Sequence, residues 1–552
     1  MLKYIFLLST VLSGSCSTTT KVDLLVHNAT IYTVDSLFSI KEAMAIKNGR
    51  IVEIGPTSKL WKRFEAKEKL DAQGRFIYPG FIDAHAHFLD YGQGLQTVDL
   101  TGTKSWEECI ERIINFVAKD SVTKSHYSKN GSWIIGRGWD QNDWDIKEFP
   151  DNEALDLLFK DNPVMLTRID GHAAIANQKA LDLAAVSSAR KVNGGVIEMK
   201  FGKPTGILID NAINLVTIKI PLAGRDENKR ALLAAQKNCF AAGLTTIDDC
   251  GLNFREVQLI EDLQKMGELK MRLYVMLSDN PSNYQFLFNR GMIKTDRLHV
   301  RSFKVYADGA LGSRGACLLK PYSDKMDHSG FLLNDKEHFD SVANLIYNKN
   351  FQMCTHAIGD SGNRVILNTY RRYLKGKNDL RWRIEHAQVV NQSDFKLFGE
   401  FSVIPSVQPT HATSDMYWAG ARLGKEREKG AYAFNDLLKQ NGWIPLGTDF
   451  PVEDISPFKT FYAAVIRKDA NGWPENGYQT ENALSRENGL RGMTIWAARS
   501  NFEEMEKGSL EKGKFADFVI LDNDLMKSGE SGILSIKVLK TFVNGEKVYE
   551  RK

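Results

Sequence analysis

Four histidines and one aspartate stand where a folded chain could gather them round a metal ion. His85 and His87 close the apolar run Phe81-Ile82-Asp83-Ala84. Side chains at i and i+2 of a strand leave by the same face, so the two imidazoles can point at one spot. His356 ends the run Gln352-Met353-Cys354-Thr355, His386 ends Arg381-Trp382-Arg383-Ile384-Glu385, and Asp449 ends Ile444-Pro445-Leu446-Gly447-Thr448. Lys304 lies inside Val300–Tyr306. A His-x-His pair alone is weak evidence; the weight comes from matching residues at other strand ends. Imidazole and carboxylate ligands suit Zn²⁺, with Fe²⁺ and Mn²⁺ as alternatives. Such an ion makes bound water acidic enough to supply hydroxide near neutral pH and polarises a carbonyl, which is the chemistry of hydrolysis.

The elements that must position these residues can be read from the pattern. Eight apolar runs, beginning near 81, 243, 271, 300, 352, 381, 402 and 444, alternate with helical stretches. The expected fold class is therefore α/β, a (β/α)8 TIM-type barrel over 79–499, whose strand ends ring one pocket. The gap from His87 to Gly243 is too long for one crossover, so 95–235 is expected as a subdomain inserted after strand 1, over the catalytic face. Short strands at 22–78 and in the last fifty residues, with hairpin signals at Asn48-Gly49 and Asn544-Gly545, predict a small β-sandwich domain built from both termini, 22–78 plus 500–552.

A chain of 552 residues with 43% hydrophobic and 25% charged residues has room for this arrangement. Net charge is only +4 over 72 basic and 68 acidic residues, which argues against a nucleic-acid surface. Gly136-Arg137-Gly138 has two glycines of a dinucleotide pattern and no third. Lys3, the apolar run Tyr4–Leu12 and Ser13-Gly14-Ser15-Cys16 form a signal peptide and lipoprotein tether over 1–21. Lipidation of Cys16 is expected, giving an exported, membrane-anchored, periplasm-facing bacterial lipoprotein; a soluble periplasmic protein is the alternative. The other five cysteines show no CxxC spacing and read as buried free thiols.

Pro79–His87 resembles the opening motif of the amidohydrolase superfamily. Gly171-His172-Ala173-Ala174, Lys304–Arg314 and Gly447-Thr448-Asp449 resemble amidohydrolase family 3, the N-substituted formamide deformylase-like group, and Gly508–Asp517 is similar to that superfamily's return into its β-domain. The resemblance implies a metal-dependent hydrolase of C–N bonds other than peptide bonds, cleaving an amide, N-acyl or N-formyl group of a small-molecule substrate. It implies one ion on His85, His87 and Asp449, a second on His356 and His386, a carboxylated Lys304 between them, and Asp449 as the catalytic proton carrier. Two other readings stand beside it: a mononuclear deaminase of a heterocycle, and a surface lipoprotein that binds a ligand without catalysis. His172, His411, Asp308 and Trp139 are candidate substrate contacts, Asp308 also competing for a metal role, and Lys304 has a structural or substrate-contacting role as its alternative. The bland alternatives are a core histidine at 172, a turn aspartate at 308 and a buried aromatic at 139. A homodimer is the default assembly.

Overall fold

The computed structural model describes residues 19–119 and 132–552. Lys3, Cys16 and the rest of the expected export segment through Thr18, as well as His126, lie outside the described residues.

Seven parallel strands form the barrel wall: β1 (Phe81–Ala86), β2 (Leu244–Leu252), β3 (Arg272–Ser278), β4 (Leu298–Tyr306), β5 (Gln352–Ala357), β6 (Arg383–His386) and β7 (Ile404–Ser406). They neighbour one another in chain order. Nearly every residue in them is buried, as expected of parallel strands covered on both faces. The eighth stave differs from expectation. Residues 444–449 form no regular strand, because Pro445 lacks an N–H and Gly447 brings the backbone unusually close to its neighbour. They still close the barrel. Gly447 N donates to Val407 O at 3.0 Å on one side; on the other, Ala84 N donates to Leu446 O at 3.2 Å and Asp449 N to His85 O at 2.7 Å.

The terminal strands make two sheets. One holds Thr20–His27, Ala43–Lys47, Arg50–Gly55 and Phe64–Asp71; the other interleaves Thr30–Tyr32, Ile40–Lys41 and Phe76–Pro79 with Phe518–Leu521, Val538–Val543 and Glu546–Glu550. One apolar core containing Val26, Met44, Ile77, Phe518 and Phe542 lies between them. This unit is pinned to the barrel at the start of β3, where the buried Arg272 guanidinium pairs with Asp517 at 2.6 and 3.0 Å and lies over the Phe515 ring.

The insertion after β1 is built on a six-stranded mixed sheet that includes Ile134–Trp139, Val164–Arg168, Ala173–Ala176 and Lys203–Asp210. Apolar clusters cover both its faces, so it has a core of its own. The boundary expected at 235 would cut the helix Arg225–Ala241, whose Leu232, Ala235 and Phe240 belong to the barrel core. Cys109, Cys239, Cys250, Cys317 and Cys354 are all free thiols. No described helix is long and apolar enough to cross a membrane.

Candidate metal centre

β1 delivers His85 and His87 to the C-terminal mouth of the barrel, and the irregular eighth stave delivers Asp449 against them. Asp449 Oδ1 lies 3.5 Å from His85 Nε2 and 3.3 Å from His87 Nε2. Asp83 locks this seam: it accepts hydrogen bonds from Thr448 N at 2.9 Å, Thr448 Oγ1 at 2.7 Å and His85 N at 3.2 Å. Gly447 has to be glycine here, since a Cβ on it would sit 2.5 Å from His85 N. Asp449 and His386 both hold positive φ, 65° and 73°, a strained backbone that collects at functional sites.

A second donor set overlaps the first. His386, His411 and Asp449 each bring an atom within 4.8 Å of the others, as His85, His87 and Asp449 do. His356 closes on His386 with ring centroids 4.5 Å apart, and Lys304 Nζ is 3.2 Å from His85 Nε2. All six expected ligands therefore converge. His411, expected as a substrate contact, enters the cluster itself, with Nε2 3.2 Å from Asp449 Oδ2 and Nδ1 3.0 Å from Glu453.

Three of the five histidines are held in the form that suits a cation; at His87 and His411 burial is overridden by Asp449, Glu453 helping at His411, and the imidazoles are raised. Burial, reinforced by neighbouring positive groups, pushes the imidazoles of His356 and His386 well below their ordinary value, and that of His85 to about 4. Neutral imidazole is the form that ligates metal. Burial alone would raise the Asp449 carboxyl, but His85, His411 and His87 overcome it and hold the group well below the usual carboxylate range. His356 Nε2 and His386 Nδ1 are buried without a hydrogen-bond partner among the described residues, and Asp449 Oδ1, also buried, has only its longer contacts with His85 and His87. Such orphaned atoms are expensive unless something else satisfies them, and a divalent ion would. Lys304 is fully buried; burial lowers its amine, but Cys250, Tyr306, Glu385 and Asp449 more than compensate and the ammonium is raised.

Two carboxylates at the site escape a reading by sequence spacing. Glu385 Oε2 takes a 2.6 Å hydrogen bond from His85 Nδ1, with both side chains fully buried. That bond fixes the tautomer and leaves the Nε2 lone pair facing the site. The available signal is a lone acid inside the apolar run before His386. The insertion supplies the other: Asp210 accepts from His172 Nδ1 at 2.6 Å, and His172 lies with its ring centroid 5.1 Å from that of His356. His172 thus reaches the rim of the cluster from above.

The remaining two candidates differ in placement. Asp308 is fully buried and accepts from the backbone N–H groups of Cys317, Ile358 and Gly359, so its carboxylate braces the loops after β4 and β5, and its Oδ1 lies 3.8 Å from His356 Nε2, at the edge of the cluster. Trp139 packs in the apolar core of the insertion and donates Nε1–H to Leu166 O, so it does not form the pocket roof.

Residues 68–549 match the amidohydrolase family, and the chain belongs to it. It is 34% identical to Protein LONG AFTER FAR-RED 3 of Arabidopsis thaliana, over 96% of this chain and 91% of that protein. It is 25% identical to the N-substituted formamide deformylase of Arthrobacter pascens, over 96% of this chain and 98% of the other. Among solved structures, an uncharacterized metal-dependent hydrolase from Pyrococcus horikoshii superposes with a TM-score of 0.74 at 27% identity, covering 92% of this chain and 99% of that one.

Proposed function

We propose that this amidohydrolase cleaves the C–N bond of an amide, N-acyl or N-formyl compound, giving a carboxylic acid and an amine. The observation that carries the reading is the convergence of His85, His87, His386 and His411 on Asp449, with His356 against His386 and buried donor atoms left unpaired. His85, His87 and Asp449 would hold one divalent ion, Zn²⁺ by ligand type, and His386 with His356 would hold a second, Lys304 lying between. When bound, such an ion supplies acidified water and polarises the carbonyl.

The chain's own groups do the rest. Glu385 holds the His85 ring in place. A carboxylate oxygen of Asp449 takes the proton given up by the attacking water and returns it to the departing nitrogen, so a C–O bond forms as the C–N bond breaks. His411, between Glu453 and Asp449, holds that carboxylate in position. His172, fixed by Asp210, is placed to touch the substrate from the insertion side.

The test is metal analysis of purified protein combined with a hydrolysis screen of N-acyl, N-formyl and cyclic amides. Bound metal with turnover of at least one amide class is expected. Metal without hydrolysis, or one ion with deamination of a heterocycle, would overturn the reading. We also propose export and anchoring through a lipid on Cys16, supported by Lys3 and the apolar run before it. Cys16→Ala should then move the protein from the membrane fraction to the soluble one.

A further inference from the structure

Arg137 is a guanidinium the mechanism above does not use. It belongs to the insertion strand Ile134–Trp139 and is flanked by two glycines required by packing. A Cβ on Gly136 would stand 3.0 Å from Leu166 and Val98 side chains, and one on Gly138, at φ +105°, would lie 2.4 Å from Thr101 Oγ1. The side chain runs past Gly94, the last residue of the helix Phe88–Gly94 that follows His87. Its Nη2 donates to Ile169 O at 3.0 Å, three residues before His172. The guanidinium therefore lies between the helix leaving the first metal ligands and the loop bringing His172, within electrostatic reach of Asp449 and Asp90.

That single carbonyl is its only hydrogen-bond acceptor among the described residues, and none of their carboxylates pairs with it directly. Arg168, on the neighbouring strand, shows what a satisfied guanidinium looks like in the same subdomain. It bonds Gln141 at 2.8 Å and Asp170 at 2.5 Å and pairs with Asp140, and these carboxylates raise it despite burial. At Arg137 burial wins: Asp90, Asp449, Asp170 and Asp99 do not make good the loss of water, and the group is lowered. Asp449 is already engaged by His85, His87 and His411. A half-buried guanidinium with spare N–H groups, on the insertion side of the candidate metal centre, finds no carboxylate to pair with among the described residues. The planar fork matches a carboxylate.

Resting on the amide hydrolysis proposed above, we infer that Arg137 binds a carboxylate of the substrate, so that the natural substrates are carboxylate-bearing amides such as N-acyl or N-formyl amino acids. Matched pairs test this: N-formyl- and N-acetyl-derivatives of methionine and phenylalanine, each as the free acid and as the C-terminal amide. The zinc-loaded wild type should favour the acids by ~10- to 100-fold in kcat/KM, the worth of a charged hydrogen-bonded contact. Arg137→Met should bring the acid-to-amide ratio towards one, mainly through KM, and Arg137→Lys should recover part of it. Thermal melting of both variants separates a folding defect from lost recognition. Calorimetric binding of N-acetylphenylalanine against its amide gives a readout without turnover. Equal handling of acid and amide by the wild type in turnover and binding, or a preference that survives in Arg137→Met, would overturn the inference while leaving amide hydrolysis standing. Cleavage of no amide at all, with acid-selective binding still lost in Arg137→Met, would sink the hydrolase reading and with it the amide substrates, leaving only Arg137 as a carboxylate-binding group.

Discussion

Replacing Glu385 with glutamine separates the support of a metal ligand from the ligand itself. The substitution keeps shape and an acceptor for His85 Nδ1 but removes a charge from a 2.6 Å contact whose partners are both fully buried. Burial alone would raise the Glu385 carboxyl, yet His85 and Arg383 bring it down to about 2, so the native site relies on its negative charge. Arg383, 3.9 Å from Glu385 Oε1, keeps its own 2.9 Å bond to Asp248, so the barrel should fold without it. What is lost is basicity at His85 Nε2. Removing such a supporting contact weakens metal binding ~10- to 100-fold, or about 1.4–2.7 kcal/mol. Competition between apo-protein and a chromophoric chelator for Zn²⁺ measures it directly. Glu385→Gln with wild-type zinc affinity and an unchanged Tm would refute the assignment of His85 as a ligand tuned through its far nitrogen.

Three other substitutions probe the same architecture. Asp449→Asn should lower kcat by ~10²- to 10⁴-fold at saturating zinc; full turnover with metal bound would remove its proton-carrying role. Gly447→Ala forces a Cβ against His85 N and should cost about 1–3 kcal/mol, read as a fall in Tm together with weakened metal binding. Arg272→Met strands the buried Asp517 carboxylate and should cost about 3–5 kcal/mol at neutral pH. Burial would raise Asp517, but Arg272 overrides it and holds the group below its ordinary 3.8, so the wild type has this stabilisation in full above that value and loses it as pH falls further. The deficit of the Arg272→Met variant, measured by denaturant titration across pH, should therefore shrink in acid; a constant deficit would show that the pair contributes no charge-dependent stability.

The barrel was legible because buried parallel strands write themselves as apolar runs, and a polar residue ending such a run is conspicuous. His356, His386 and Asp449 stand out for that reason, and the structure brings all three to His85 and His87. The eighth stave was legible by position but not by geometry, since Pro445 and Gly447 replace ladder hydrogen bonds with a few specific contacts. Glu385 was harder. It sits next to His386 in sequence, and only the barrel's curvature turns it towards His85, 300 residues away. Trp139 looks like a site residue in one dimension because an indole near glycines is what a pocket would also use, yet its hydrogen-bond partner is a backbone carbonyl of the insertion. Asp308 does border the cluster, but its hydrogen bonds go to backbone groups that no spacing rule names.

The seam between β1 and residues 444–449 bears on how the whole molecule holds together. Its two sides come from opposite ends of the barrel sequence, and closing so long a loop is entropically unfavourable. Backbone hydrogen bonds and the Asp83–Thr448 contacts join them directly. A cation seated on His85, His87 and Asp449 would act as a clasp across that join, binding the closed ring in preference to the open chain. Every tenfold of ion concentration above its dissociation constant would then add about 1.4 kcal/mol to closure. In that light the same three side chains would also be the fastening of the barrel, and chelation should part it first along this one line.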